Sequence, residues 1–381
     1  ARGCGWYRSL GDSVGMRLLR SMDPERAHVG AVWACKLGLT PVDRSAPLPN
    51  LRTEVWGLRF DNPVGVAAGF DKHAEAMDAL LDMGFGFVEV GSITPEPQPG
   101  NARPRMFRLS EDAAVINRYG FNSVGVEAAK RRLAARASGS SGAGSRVGVV
   151  GVNLGKNKES ASAEADYVRG VMELGPYAGY LVINVSSPNT PGLRALQARK
   201  QLQSLVSAVL EARARIRWVA PPAGVPRNAR QLPPLLIKVA PDLTEEDKRD
   251  VAAVVLATGA DGIIVSNTTV ARPPTLRSEH AGEAGGLSGA PLRDKSTALV
   301  ADMYRLTKGK VPIVGVGGVA SAEDAYAKIR AGASLVQLYS ALSYQGPSLV
   351  PQVKQGLAKL LERDGFACVA DAVGVDAGRR K

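Results

Sequence analysis

Eight short runs rich in β-branched residues recur along the chain, each followed by a polar loop and a helix-like stretch. The helix-like stretches include 74–83, 244–257 and 322–331. Near-continuous apolar strands that alternate with helices are typical of a parallel sheet covered on both faces. Eight units match a TIM barrel, so we predict an α/β fold, a (β/α)8 TIM barrel; a doubly wound open sheet is the alternative. The runs are 64–67, 87–90, 147–152, 180–184, 235–239, 262–266, 312–316 and 335–339.

The segment before this repeat has a different pattern. Apolar residues recur at every fourth position from Trp6 to Leu18, which predicts an amphipathic helix. Asp23 followed by Pro24 has the pattern of a helix N-cap, so we predict a second helix from there to about Leu37. The barrel therefore carries a small N-terminal two-helix extension. We expect a helical hairpin at 1–40, a linker and barrel-bottom segment at 41–61, the barrel at 62–369 and a C-terminal tail at 370–381.

Two stretches look like insertions into the barrel: the Ser/Gly-rich 138–145 and the proline-rich 221–234. Both compositions are typical of mobile surface loops, and neither suggests a role.

The composition limits the classes of partner. With 48 basic and 36 acidic residues the net charge is +12, which would suit an anionic membrane face, a nucleic acid or an acidic small molecule. The basic residues are dispersed and only 5% of residues are aromatic, so we expect no nucleic-acid partner. The three cysteines lie far apart without CxxC spacing, so we expect no metal site. No run of apolar residues is long enough to span a bilayer as a helix.

Polar and small residues follow every one of the eight runs. The carboxyl ends of TIM-barrel strands meet at one rim, where active sites lie. Asn184 and Lys238 fall within their apolar runs, where a buried polar group needs a partner that a ligand can supply. Each loop alone has a structural explanation as a cap or turn, but eight together predict a binding site. The loops read AAGFDK, GSIT, NLGKN, NVSSPN, KVAPDL, SNTT, GVGG and YSAL.

The last two loops predict a phosphate site, because glycine N–H groups and a helix N-terminus often converge there in this fold. Gly317, Gly318, Tyr339 and Ser340 would supply it, with Gly289 nearby. The stretch 315–320 also fits the loose GxGxxA pattern of a dinucleotide fold. The next run lacks the acid that would hold a ribose, so we do not favour this alternative.

Read together, these loops resemble the dihydroorotate dehydrogenases, and specifically class 2, the membrane-associated and quinone-dependent branch. The resemblance covers nearly everything from about 62 to 342 and implies a TIM barrel that oxidises dihydroorotate to orotate in pyrimidine biosynthesis. It rests on the blocks NPVGVAAGFDKHAEA, GFGFVEVGSITPEPQPGNARPRMFRL, INRYGFNS, GVNLGKNK, VINVSSPNTPGLR, IKVAPDL, SNTT, GGLSGAPLR, VPIVGVGGV and RAGASLVQLYSAL.

The resemblance implies that the cofactor is FMN, whose single phosphate agrees with the predicted site. An ammonium at Lys238 would stabilise the negative charge that a flavin gains with a hydride. The implied FMN-binding residues are Ala67, Ala68, Gly69, Lys72, Ser92, Asn117, Asn153, Asn184, Lys238, Ser266, Gly289, Gly317, Gly318, Tyr339 and Ser340.

In this family the second serine of the SSPN motif takes a proton from the substrate, and that residue is Ser187 here. No histidine lies in a motif that would activate it. The resemblance implies instead that the proton leaves through Thr190 and water beneath Phe121, while neighbouring prolines stiffen the loop. The implied substrate-binding residues are Lys72, Asn117, Tyr119, Gly120, Phe121, Asn184, Ser187, Asn189, Asn267 and Thr268.

The class 2 resemblance further implies that ubiquinone reoxidises the flavin through a tunnel roofed by the N-terminal helices. These helices would dock on an anionic membrane surface. We expect a monomer at the mitochondrial inner membrane in a eukaryote, or at the cytoplasmic side of the inner membrane in a bacterium. The candidate tunnel residues are Leu18, Met22, His28, Val32, Arg108 and Tyr339.

Two other functions are compatible with a phosphate-binding barrel. One is another FMN barrel, such as a tRNA dihydrouridine synthase, but that class needs a basic RNA-binding appendage and a cysteine acid in the site, and neither is evident. The other is a flavin-free barrel that binds a phosphorylated metabolite as a lyase, isomerase or sensor.

Overall fold

The computed structural model describes residues 15–139, 148–219 and 232–378. Eight parallel strands close into a barrel in the order β3, β4, β7, β8, β9, β10, β12 and β13, and each corresponds to one of the predicted runs. The (β/α)8 prediction is therefore confirmed. The strands are β1 (Thr53–Val55), β2 (Leu58–Phe60), β3 (Val64–Val66), β4 (Phe87–Ile93), β5 (Met106–Leu109), β6 (Ala114–Asn117), β7 (Val149–Leu154), β8 (Tyr180–Asn184), β9 (Leu235–Val239), β10 (Gly262–Val265), β11 (Gly286–Gly289), β12 (Ile313–Val316) and β13 (Ala333–Leu338).

Helices surround the barrel and precede it. The helix predicted at 244–257 is α7, which begins after a capping box between Thr244 and Asp247. The helices are α1 (15–21), α2 (Pro24–Lys36), α3 (Met77–Asp82), α4 (Gly125–Ala137), α5 (Ala163–Leu174), α6 (Arg199–Ala214), α7 (Glu245–Thr258), α8 (Arg293–Leu306), α9 (Ala322–Ala331), α10 (Leu342–Gln345), α11 (Leu349–Arg363) and α12 (Val369–Ala372).

One predicted helix is shorter than expected. The pattern predicted a helix from residue 74, but α3 begins at Met77. The buried carboxylate of Asp71 accepts hydrogen bonds from the backbone N–H groups of Glu75 and Ala76, at 2.8 and 2.7 Å. These bonds hold the stretch before Met77 as a loop, which competes with a helix.

The N-terminal extension agrees with the prediction where it is described. The Asp23 carboxylate caps α2 by accepting from the Arg26 N–H at 2.9 Å, and Pro24 occupies the first turn. Most of the first predicted helix lies outside the described residues, although 15–21 are helical. The two insertions also lie largely outside them.

An aromatic plug closes the amino-terminal end of the barrel. The hairpin of β1 and β2 carries Trp56 and Phe60 beneath the strands. The Phe60 ring lies 5.5 Å from that of Phe87, and the Trp56 ring lies 6.0 Å from that of Tyr180. This end is therefore a packed apolar core.

The carboxyl end of the barrel is covered by a second, three-stranded antiparallel sheet in the order β11, β6, β5. We did not predict this sheet, since its strands are only four residues long and lie far apart in sequence. It carries Asn117 and Gly289 to the barrel mouth.

The predicted boundary between the barrel and the C-terminal tail, at 369–370, falls inside α12. The backbone N–H of Gly374, after α12, donates to the Ile329 carbonyl of α9.

Candidate active site

A cleft opens at the carboxyl end of the barrel and encloses about 1480 Å³, including its open mouth. All but two of the predicted cofactor, substrate and catalytic residues line it; the exceptions, Asn153 and Thr190, are buried beside it. The predicted residues that line the cleft are Ala67, Ala68, Gly69, Lys72, Ser92, Asn117, Tyr119, Gly120, Phe121, Asn184, Ser187, Asn189, Lys238, Ser266, Asn267, Thr268, Gly289, Gly317, Gly318, Tyr339 and Ser340.

Side-chain amides form a connected cluster on one side of the cleft. The Asn184 Nδ2 group, at the end of β8, donates to Asn153 Oδ1 at 3.1 Å and to Ser92 Oγ at 3.0 Å. Its Oδ1 atom accepts from Asn267 Nδ2 at 3.3 Å and from Ser186 Oγ at 3.0 Å. The bonds fix the direction of each amide before any ligand binds.

Beneath the cleft lies a carboxylate that we did not predict. Glu89 on β4 is completely buried, and its Oε1 atom lies 3.7 Å from Lys238 Nζ on β9. It accepts hydrogen bonds from Asn153 at 2.8 Å, Gln337 at 2.7 Å and Tyr180 at 3.2 Å. The signal was available, because a charged residue interrupts the apolar run FVEV. This network holds the Lys238 ammonium in the barrel floor.

The loop after β8 carries the predicted base. Ser187 is nearly buried but lines the cleft, and its Oγ atom accepts from the Asn189 N–H at 3.3 Å. Thr190 follows in the same loop, and its buried Oγ1 atom has no hydrogen-bond partner among the described residues. Phe121 lines the cleft with a left-handed backbone, φ 56°.

Arg194 holds this loop from behind, and sequence reasoning missed it. Its guanidinium donates to the Ser186 carbonyl at 3.1 Å and to the Thr268 carbonyl at 3.0 Å. A third bond, to Asp242 at 3.1 Å, anchors the guanidinium. The loops after β8 and β10 are thereby joined at their backbones. The GLR that follows SSPNTP was the only sequence signal.

A glycine loop lies at the opposite end of the cleft. Gly317 and Gly318 have φ values of 113° and 69°, which favour glycine. A Cβ atom on Gly318 would lie 2.5 Å from the Arg293 Cα atom, so the loop passes close to the start of α8. Ser340 Oγ donates to Ser288 Oγ at 2.9 Å. Glycine N–H groups beside a helix N-terminus suit an anion such as a phosphate.

A lysine that we did not predict lies behind this glycine loop. Lys328 on α9 is fully buried and donates to Ser296 Oγ at 2.5 Å and to Thr297 Oγ1 at 2.9 Å. Ser296 in turn donates to the Gly317 carbonyl at 3.0 Å. Burial lowers the pKa of Lys328 to about 7. Its hydrogen bonds connect α8 and α9 to the glycine loop.

Lys72 is a half-buried cation that lines the cleft. Its Nζ atom donates to the Gly69 carbonyl at 2.6 Å and lies 4.3 Å from the centre of the Tyr119 ring. Burial, and then the positive charge of Arg105, lower the pKa of Lys72 to about 8. A half-buried ammonium with a lowered pKa is suited to an anionic ligand that would supply further hydrogen-bond acceptors.

The candidate tunnel residues lie in different environments. His28 Nε2 is 2.7 Å from the Phe70 carbonyl, and its ring lies 6.2 Å from that of Tyr339. Arg108 donates to the Arg20 carbonyl at 2.7 Å, which ties α1 to β5. Of the six candidates, Tyr339 alone lines the described cleft. Val32 packs against the core, whereas Leu18 and Met22 are exposed.

The fold and site define a TIM-barrel protein with a polar cleft at the carboxyl ends of its strands, whose glycine loop is suited to a phosphate-type anion. The sequence from residue 50 to 361 matches the family model for dihydroorotate dehydrogenase. The chain therefore belongs to the dihydroorotate dehydrogenase family.

Named relatives agree over nearly the whole chain. A dihydroorotate dehydrogenase (quinone) from Rhodospirillum rubrum is 55% identical over 372 residues, covering 97% of this chain and 95% of the relative. The mitochondrial dihydroorotate dehydrogenase (quinone) of Mus musculus is 53% identical over 362 residues, covering 95% of this chain and 89% of the relative.

A solved structure gives the same result for the fold. The structure of the Eimeria tenella protein in complex with ferulenol superposes with a TM-score of 0.89 at 47% sequence identity. The superposition covers 93% of this chain and 96% of the other.

Proposed function

We propose that this chain oxidises dihydroorotate to orotate at an FMN bound in the cleft and passes the electrons to a quinone such as ubiquinone. One observation carries the proposal: the same cleft contains the glycine loop suited to an anion, the buried Lys238 and the Ser187 loop. Family membership and relatives named as quinone-dependent enzymes support the reaction.

The residues present fit an FMN. The glycine loop at 317–318 would hold the phosphate, and Lys238 would lie at the isoalloxazine ring with its charge held by Glu89. Gln337 lines the cleft with a buried Oε1 atom that has no partner among the described residues, so it can accept an N–H from a ring. When bound, FMN supplies a two-electron acceptor; the chain supplies the orientation and the charge.

Substrate recognition would use the amide cluster and Lys72. Dihydroorotate has carbonyl and N–H edges and one carboxylate, and asparagine amides match both kinds of edge. Asn117, Asn184, Asn189 and Asn267 line the cleft and present such amides. Asn189 Nδ2 lies 3.4 Å from Asn117 Oδ1, so these two already contact each other across the cleft. Lys72 would bind the carboxylate.

Ser187 would remove the proton from the substrate. A serine hydroxyl is a weak base alone, so the proton needs an exit. Thr190 Oγ1 is buried without a partner three residues away, which suits a relay through a water molecule beneath Phe121. Arg194 holds the loop by its bond to the Ser186 carbonyl. This bond would keep the Ser187 hydroxyl in one position at the cleft.

The acceptor side would lie at the N-terminal helices. Burial, and then the charge of Lys72, lower the pKa of His28 to about 3, so His28 is neutral beside Tyr339 at working pH. Val29 and Trp33 on α2, and Leu37 at its C-cap, are exposed apolar residues. Such residues suit an interfacial helix on a membrane. Among the described residues, no helix combines the length and apolarity needed to cross a bilayer.

We propose that the chain docks on the membrane through α1 and α2, and that it does so as a monomer. Relatives from mouse and rice are named mitochondrial enzymes, which supports a mitochondrial location for a eukaryotic chain. We propose the inner membrane there, and the cytoplasmic side of the inner membrane for a bacterial chain. The fraction of protein that co-sediments with anionic phospholipid vesicles should be lower for Trp33→Glu than for the wild type. Equal binding of both forms would contradict docking through these helices.

The reaction is tested with the purified protein under anaerobic conditions. We expect a visible flavin spectrum, FMN after extraction, loss of that absorbance on adding dihydroorotate, and its return on adding a short-chain ubiquinone. NAD⁺ at the same concentration is the control and should not restore it. A protein that holds flavin but is not reduced by dihydroorotate would overturn the proposal.

A further inference from the structure

A buried ion pair joins the N-terminal helices to the substrate side of the barrel. Glu25, in the first turn of α2, is 8% exposed. Its Oε1 atom accepts a hydrogen bond from Arg105 Nη2 at 2.9 Å. Arg105 Nε lies 3.2 Å from both carboxylate oxygens and donates to them. Arg103 adds a bond at 2.9 Å. Burial alone would raise the pKa of Glu25, but the bonds from Arg105 and Arg103 lower it, so the carboxylate is ionised.

The other side of the Arg105 guanidinium fixes a loop beside the active site. Arg105 Nη1 donates to the Pro99 carbonyl at 2.7 Å and to the Asn101 carbonyl at 2.9 Å. The side chain of Asn101 then donates to the Asn189 carbonyl at 3.3 Å. Asn189 lies in the same loop as Ser187. A continuous path of hydrogen bonds therefore runs from α2 to the proposed base loop.

A second path leads from Arg105 to the proposed carboxylate site. The Arg105 guanidinium lies 4.9 Å from the centre of the Tyr119 ring, and Lys72 Nζ lies 4.3 Å from the same centre. The charge of Arg105 also contributes to the lowered pKa of Lys72, whereas the charge of Glu25 opposes that shift. Removing the Glu25 charge would leave Arg105 uncompensated and Lys72 less stable as an ammonium.

We propose that Glu25 is a positioning residue that couples the N-terminal helices to dihydroorotate binding: its ion pair with Arg105 holds the Asn101–Asn189 contact and the Tyr119–Lys72 stack. The proposal rests on the proposed function, since it takes Ser187 and Lys72 as substrate residues. It gives α2 a role in the half-reaction that does not involve the quinone.

The chain offers a matched control on the same helix. Lys36, in the last turn of α2, forms an ion pair with Glu75 at 3.1 Å. Glu75 also pairs with Arg132 at 3.1 Å, on the outer side of the barrel. None of these three residues lines the cleft. Lys36→Gln therefore removes an ion pair between α2 and the barrel without changing the path to the substrate side.

The experiment compares wild-type holoenzyme with Glu25→Gln and Lys36→Gln in anaerobic single-turnover reduction by dihydroorotate, with no quinone present. We expect the half-saturating dihydroorotate concentration and the orotate dissociation constant to rise about tenfold in Glu25→Gln, within the usual range of coupling between sites. Hydrogen exchange at 187–192 should be faster in that variant. Lys36→Gln should match the wild type in all three measurements.

Asn101→Ala cuts the path without touching α2, so it tests the proposal independently should Glu25→Gln fold poorly. It should weaken orotate binding in the same direction, and the double variant should bind no worse than Glu25→Gln alone. Wild-type orotate affinity in either single variant, or equal losses in Glu25→Gln and Lys36→Gln, would overturn the coupling. A wild-type flavin that dihydroorotate does not reduce would instead overturn the proposed function.

Discussion

The two ends of the barrel are built from the same strands but differ in chemistry. β8 begins with Tyr180 in the aromatic plug and ends with Asn184 in the amide cluster. Similarly, β4 begins with Phe87 in the plug and reaches Ser92 at the cleft. A few residues along one strand therefore separate packing from polar recognition. Residues that stabilise the fold and residues suited to bind a ligand thus lie at opposite ends of the barrel axis. Glu89 is the exception, because it contacts both Tyr180 and Lys238.

The largest effect is expected at the closed end. Phe87 is fully buried, with its ring against Gly65 and Phe60, so Phe87→Ala leaves a cavity in the plug. We expect a loss of about 3–5 kcal/mol in the free energy of unfolding. Flavin content and orotate affinity should be unchanged in the folded fraction. Denaturant unfolding with an orotate titration measures both.

The exposed Trp33→Ala is the control for this variant, because its stability should change by less than about 0.5 kcal/mol. Weakened orotate binding in folded Phe87→Ala would show that the two ends are not separable.

Tyr180 is the residue at which the separation should be weakest. Burial, and then the charge of Glu89, raise the pKa of its phenol, so the hydroxyl stays protonated and donates to Glu89. Tyr180→Phe removes this donor to a buried carboxylate and should destabilise the protein by about 1.5–3 kcal/mol. Since Glu89 pairs with Lys238, we also expect a changed flavin reduction potential, measured by equilibration with a redox dye.

Phe60→Leu, also in the plug but without a polar contact to Glu89, is the comparison. It should leave the potential unchanged, and equal potentials in all three proteins would separate the plug from the flavin site completely.

The smallest effect concerns pH at the open end. The pKa of Lys72 is about 8, so its ammonium is present below that pH and is lost above it. If the ammonium binds the substrate carboxylate, kcat/KM should fall as pH rises through about 8, by at most about tenfold per pH unit. Lys72→Arg stays charged and should lose this fall. If kcat/KM of Lys72→Arg still falls through about pH 8, a group other than Lys72 causes the fall.

Much of the barrel could be predicted because its signal is local. Parallel strands buried on both faces are continuous apolar runs, and the loops that follow them share one rim, so Asn184, Lys238 and Gly318 could be assigned to a site without knowing any distance. The resemblance to a family then assigned roles to Ser187 and Lys72 that no spacing indicates.

The remainder depends on contacts between distant segments. The sheet over the cleft pairs β6 with β11, whose residues Asn117 and Gly286 are far apart in sequence. Glu25 and Arg105 are likewise brought together only by the packing of α2 on the barrel. Glu89 was missed for another reason, since its run was interpreted by its apolar residues alone. Whether the candidate tunnel residues guide a quinone stays a prediction.

The proposed reaction depends most on Ser187 as the base, and one measurement tests that role directly. The rate at which dihydroorotate reduces the bound flavin under anaerobic conditions is compared in the wild type, Ser187→Ala and Ser343→Ala. Ser343 also lines the cleft, but at the phosphate end. We predict that all three hold flavin and that only Ser187→Ala is slower, by about 100-fold or more. Reduction of Ser187→Ala at the wild-type rate would contradict the account.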